Sequence, residues 1–151
     1  MTEENLNKLA TELFKTFARF EYALKASGFN NGDGDAQPNW RNFALSVETQ
    51  FQNPQTPELR EAIDFMLQQS PKKQVIRNGL LEWDAAPPNT NSSADLILLY
   101  VRRVRNNLFH GGKFNGHWFA PKRSEKLLRH SLVILEACLD ASPQVKGAYN
   151  N

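Results

Sequence analysis

The chain has 151 residues, 40% of them hydrophobic and 11% aromatic, which suits one domain with a sizeable core and excludes a disordered segment. Its single cysteine, Cys138, excludes an internal disulfide framework. No apolar run reads as a leader or a membrane span, so the expectation is a protein of the reducing cytoplasm with no membrane partner.

Thr2, followed by Glu3 and Glu4, reads as an N-cap with an acidic first turn. Leu6, Ala10, Leu13, Phe17, Phe20 and Leu24 then recur at helical spacing, which predicts a first helix over about 3–27. Glu21 falls on the apolar side of that helix, between Phe14 and Phe17, whereas Lys15 and Arg19 point away. Its carboxylate either stands in water at the edge of the stripe or pairs with a cation across the bundle. Gly28 ends the helix. The following Asn30-Asn31-Gly32-Asp33-Gly34-Asp35 is a turn, without the spaced ligands and closing Glu of a calcium loop.

Asn39 can cap a second helix that lines Trp40, Phe43, Val47 and Phe51 along one face. Thr56-Pro57-Glu58 combines a cap, a first-turn proline and an acidic residue, and so starts a third helix through about Gln69, with Leu59, Ala62, Ile63, Met66 and Leu67 inward. Ser70-Pro71 breaks it. Over 72–93 an Asn78-Gly79 turn signal lies between short apolar pairs, which permits a small hairpin or an irregular excursion. Pro87 to Asn91 is loop, and Ser93 then caps the next helix, with Asp95 in its first turn.

That helix carries the most informative stretch, Leu96 to Lys113. At about 100° per residue, Ile97, Val101, Val104 and Leu108 share one stripe, and Arg105 falls inside it. A guanidinium there needs an anion, a carboxylate from another helix or a wet interface, because burying it alone costs several kcal/mol. Asn106 and His110, four apart, share an edge of the helix beside Arg105, and Gly111-Gly112 ends it. Glu21 is the candidate carboxylate for Arg105. Charge collects around this motif: from Tyr100 to His130 there are eight Lys or Arg against Glu125 alone, leaving ten basic and fifteen acidic residues elsewhere. Arg102, Lys113, Lys122, Arg123, Lys126 and Arg129 are therefore candidates to hold a polyanion such as RNA.

After the motif, Phe114, Trp118 and Phe119 either offer a base a stacking surface beside His117 or fold back as lids on the core. Ser124 can cap a last helix whose inner stripe is Leu127, Leu128, Ser131, Leu135, Cys138 and Leu139. Ser142-Pro143 ends it, which leaves one domain over 1–142 and a frayed tail over 143–151. The architecture expected is all-α, an up-and-down bundle of four to five helices. There is no P-loop, dinucleotide-binding glycine pattern, nucleophile elbow or Cys-His metal cluster, so no cofactor and no metal are expected.

Arg105-Asn106-Asn107-Leu108-Phe109-His110 resembles the R-x4-6-H signature of the HEPN superfamily, including the polar residue that often follows the Arg. The resemblance extends over most of the chain and implies a small helical domain, and in catalytic members a metal-independent endoribonuclease of toxin–antitoxin or defence systems. It also implies a homodimer in which two such motifs share a cleft, and an antitoxin or other regulatory partner. On that reading Arg105 holds phosphate, His110 is the general acid or base and Asn106 orients one of them, with Glu21 bracing the guanidinium from behind. Other members only bind nucleotides or RNA, or assemble, which is the alternative. The Tyr that some toxins carry two residues after the His is Gly112 here, so regulation by modification of such a Tyr is not implied.

Overall fold

The computed structural model describes residues 2–109, 113–114, 117–118 and 120–151, with the backbone alone at Phe109 and at 113–114 and 117–118. Among these residues the chain forms seven helices and two small antiparallel hairpins.

The first helix, α1 (Glu3–Ala26), begins where its caps require. Thr2 Oγ1 accepts the Asn5 N–H at 3.2 Å, and Glu3 and Glu4 face the positive end of the helix. At the far end Gly28 adopts φ +96°, which lets the Phe29 N–H reach back to the Leu24 carbonyl at 2.9 Å, the wrap that closes a Schellman C-terminus. Leu6, Leu13, Phe17, Phe20, Ala23 and Leu24 are buried from it. Each large side chain so buried contributes roughly 1.5–3 kcal/mol.

The second predicted helix is two. α2 (Trp40–Ser46), capped by Asn39 Oδ1 on the Asn42 N–H at 3.0 Å, stops at Val47, and α3 (Glu48–Gln52) starts in a new direction. Trp40, Phe43, Val47 and Phe51 are all buried as the spacing required. α4 (Pro57–Gln68) follows the Thr56 cap, but Leu67 is 51% exposed, because Leu59, Ala62, Ile63 and Met66 fill the inner stripe and Leu67 lies at its edge, about 100° around the helix from Met66.

The segment after Ser70-Pro71 is a hairpin. β1 (Lys73–Arg77) and β2 (Leu80–Asp84) pair antiparallel through a two-residue Asn78-Gly79 turn, both residues at positive φ (+51° and +76°), the geometry that matches strand twist. α5 (Ser93–Phe109) is capped one residue earlier than expected: Ser92 Oγ accepts the Asp95 N–H at 3.0 Å. β3 (Lys113–Phe114) and β4 (His117–Trp118) form the second hairpin. α6 (Pro121–Ala141) starts three residues before Ser124, with Pro121 in its first turn, so Ser124 is an interior residue and not a cap.

The tail is also corrected. α7 (Pro143–Asn150) is a helix packed on α1 and α6, with Ser142 as its cap and Val145 fully buried. Arg19 clamps it from α1, its Nε donating to the Tyr149 carbonyl while its guanidinium stands 5.2 Å over the Tyr149 ring. Ser-Pro here opens a helix instead of only closing one, because the Ser142 hydroxyl takes up a first-turn N–H and proline has none to lose. The core lies where α1, α4, α5 and α6 meet, with α2 and α3 against α5.

Candidate functional site

α5 is fixed at its N-terminus by a residue 44 positions before its Ser92 cap. The Glu48 carboxylate accepts from Ser92 Oγ at 2.5 Å, from the Ser93 N–H at 3.0 Å and from the Ala94 N–H at 2.9 Å. An anion there satisfies donors that the helix itself leaves unpaired and complements its positive end. The break at Val47 swings Glu48 into this position.

Three turns along, three of the predicted site residues, Arg105, Arg102 and Glu21, lie against an aromatic cluster. Phe17 and Trp40 lie 5.3 Å apart, Phe20 stacks on Trp40 at 5.2 Å, and Phe43 and Phe29 continue the row edge to face. Arg105 stands over Phe17 at 5.4 Å, half-buried, and its Nη1 donates to Asn106 Oδ1 at 3.1 Å. Arg102 stands over Trp40 at 5.9 Å. Burial lowers the Arg102 pKa, and the negative charges of Asp95 and Glu21 oppose the shift; the guanidinium stays ionised. Glu21 is half-buried, and its Oε2 accepts the indole N–H of Trp40 at 2.9 Å. The arrangement thus holds two guanidinium groups against ring faces, where cation–π attraction contributes about 0.5–2 kcal/mol each.

Asn106 is exposed. His110, the imidazole of the sequence motif, lies outside the described residues, as do the side chains of Lys113, Phe114, His117 and Trp118 and the whole of Phe119. The remaining candidates divide. Lys122, Lys126 and Arg129 are exposed along α6, Arg129 within 3.8 Å of Glu125. Arg123 is committed to structure: it donates to Gln69 Oε1 at 3.1 Å and to the Gln69 and Ser70 carbonyls at 3.0 Å each, closing the C-terminus of α4. His130 stacks on Phe65 at 4.6 Å, between α6 and α4.

Beside the motif edge of α5 opens a cavity of about 490 Å³ that the sequence did not reveal. Lys73 and Gln74 from β1 face Arg102, Arg103, Asn106 and Asn107 from α5 across it. The hairpin is held in place by two of these: Asn107 Nδ2 donates to the Lys72 carbonyl at 2.9 Å and Arg103 Nη1 to the Pro71 carbonyl at 3.4 Å. On α5 the members fall at i, i+4 spacing, a signal visible in the sequence, but their meeting with β1 depends on the hairpin's placement.

No helix among the described residues is long and apolar enough to cross a membrane. No family model, curated protein or solved structure matches this chain.

Proposed function

We propose that this protein is a HEPN-like, metal-independent endoribonuclease of toxin or defence type, working in the cytoplasm as a homodimer under the control of an antitoxin or other regulatory protein. The observation that carries the reading is the end of α5: Arg105, held over Phe17 and bonded to Asn106, stands five residues before His110 in the spacing of the R-x4-6-H signature.

RNA brings its own nucleophile. A base removes the 2′-OH proton, the oxygen attacks the adjacent phosphorus, the bond to the 5′-oxygen breaks and an acid protonates that leaving oxygen. The products are a 2′,3′-cyclic phosphate and a 5′-hydroxyl. An imidazole titrates near neutrality and serves as either acid or base, which is the role given to His110. A guanidinium can hold phosphate oxygens and stabilise the charge that builds on them, the role of Arg105, with the Asn106 amide orienting phosphate or imidazole. One imidazole is poorly placed to be acid and base in one turnover, and a two-fold pair of chains supplies the second. The second reading, a non-catalytic nucleotide- or RNA-binding module, is favoured by the cation- and amide-lined cavity beside Asn106, which needs no chemistry to hold a phosphate.

The test is RNA cleavage in EDTA by wild type, His110→Ala and Arg105→Ala in parallel. Cyclic-phosphate ends from wild type and a 10²–10⁴-fold rate loss in folded His110→Ala are expected. Arg105→Ala should lose activity together with some stability. Binding of RNA with no cutting would select the second reading, and full activity in His110→Ala would reject the enzyme.

A further inference from the structure

We propose that the cavity between the first hairpin and α5 holds an unpaired stretch of RNA, its backbone against Lys73 and Arg102 and one base stacked on Trp83. This rests on the RNA reading above but not on cleavage. The hairpin, pinned at its start to α5 through Asn107 and Arg103, leaves large apolar side chains exposed. Ile76 is 68%, Leu81 64% and Trp83 46% exposed. Register sorts them: Gln74 lies opposite Trp83 and Ile76 opposite Leu81, so these four share one face. Lys73, Arg77, Glu82 and Asp84 lie on the other face with Val75 and the exposed Leu80; there Arg77 pairs with Asp84 at 2.8 Å and with Glu82 at 3.8 Å, and Lys73 lines the cavity from that side. Gln74 belongs to both the apolar face and the cavity wall, and Trp83, its partner on β2, lies one strand beyond that wall, within reach of a ligand that extends out of the cavity across Gln74.

The wall is suited to a polyanion. It carries three cations and three amides, and no carboxylate among the described residues lines it. Nearby acids temper two of the cations: Asp95 and Glu21 act on Arg102, and Asp84 on Arg103, although Asp84 is itself held by Arg77 and the Ala86 N–H. Lys73 is the cation with no hydrogen bond or ion pair among the described residues, so its ammonium is the principal phosphate contact. An indole face takes any base by stacking, and the Gln74 amide beside it can pair with a base edge. Stacking needs a base freed from its partner, so the site selects single strands over duplex.

The experiment is fluorescence anisotropy of the full chain, as wild type and as His110→Ala to keep the RNA uncut, with a labelled single-stranded decamer and the matching blunt duplex. Trp83→Ala should weaken single-strand binding roughly tenfold or more and leave duplex binding unchanged, while Trp83→Phe retains most of the affinity. Lys73→Gln should lower the slope of log affinity against log salt by about 0.7. Gel filtration of the same variants guards against the other use of an exposed apolar face. Unchanged single-strand affinity in Trp83→Ala, equal losses for strand and duplex, or a change of oligomeric state in place of a change in affinity would each overturn the proposal. Strand-selective binding that depends on Trp83 supports it even where wild type cuts nothing, so its failure and that of the ribonuclease reading are separately visible.

Discussion

Replacing Glu48 tests whether α5, and with it the candidate site, is anchored from α3. In Glu48→Ala the Ser93 N–H can turn to water, but Ala94 is fully buried and its N–H loses its acceptor, a cost of about 1–3 kcal/mol. Loss of the negative charge at the helix N-terminus adds about 0.3–1 kcal/mol. The sum, about 1–4 kcal/mol, corresponds to a drop of roughly 3–16 °C in Tm for a chain of this size. Glu48→Gln keeps an acceptor oxygen and gives up the charge, so about 1 kcal/mol is expected. Because Ser92 Oγ donates to Glu48 and accepts from Asp95 N, the pair Glu48→Gln and Ser92→Ala should be coupled by at least about 0.5 kcal/mol in a double-mutant cycle. Urea and thermal unfolding followed by circular dichroism supply all four corners. A Glu48→Ala protein within about 0.5 kcal/mol of wild type, or strictly additive losses, would refute the anchoring.

Three further outcomes are expected. Ser131 Oγ is fully buried on α6 with no hydrogen-bond partner among the described residues, so Ser131→Ala should raise stability by about 1 kcal/mol, measured by urea unfolding. Val145→Ala should cost about 1–3 kcal/mol and strip hydrogen-exchange protection from 143–150, whereas a frayed tail would show neither. Burial holds the His130 imidazole below the 6.5 of an exposed one, with Glu61 opposing the shift and Lys126 adding to it. The unfolded chain therefore takes up that proton first, and stability present above about pH 6.5 is lost as pH falls toward the folded-state value. His130→Gln should flatten this part of the Tm-against-pH curve, and an unchanged curve would assign the loss to other groups.

Several helix and turn boundaries that rest on a local device were legible in the sequence, although the caps read at Ser93 and Ser124 were misplaced. Thr2, Asn39 and Thr56 cap where they were read to cap, Gly28 turns where only glycine is comfortable, and Asn78-Gly79 makes the hairpin turn. What escaped was set by contacts far along the chain. The face Trp40, Phe43, Val47 and Phe51 fits one helix as well as two, and what separates the alternatives is the bonding of Glu48 to residues 44 to 46 positions away. The dipeptide Ser-Pro occurs at 70–71 and at 142–143 with opposite sequels. After the first, Val75 and Ile76 favour extended chain; after the second, Val145, Ala148 and Tyr149 recur at helical spacing and find a surface on α1.

At the site the sequence posed the right question and supplied too short a set of answers. Arg105 on an apolar stripe demanded a partner, and a count of carboxylates returned Glu21. Helical spacing carries no information about ring faces, yet arginine, weakly hydrated and planar, is the cation that can lie on one. The structure sets Arg105 over Phe17 and Arg102 over Trp40, while Glu21 takes the indole N–H of the ring beneath Arg102. The carboxylate thus sits at the edge of the indole and the Arg102 guanidinium over its face, so Glu21 positions the ring and its charge also acts on Arg102. A lysine at 102 or 105 would keep the charge and lose the planar contact, so the identity of the cation, and not its sign alone, is what this aromatic floor selects.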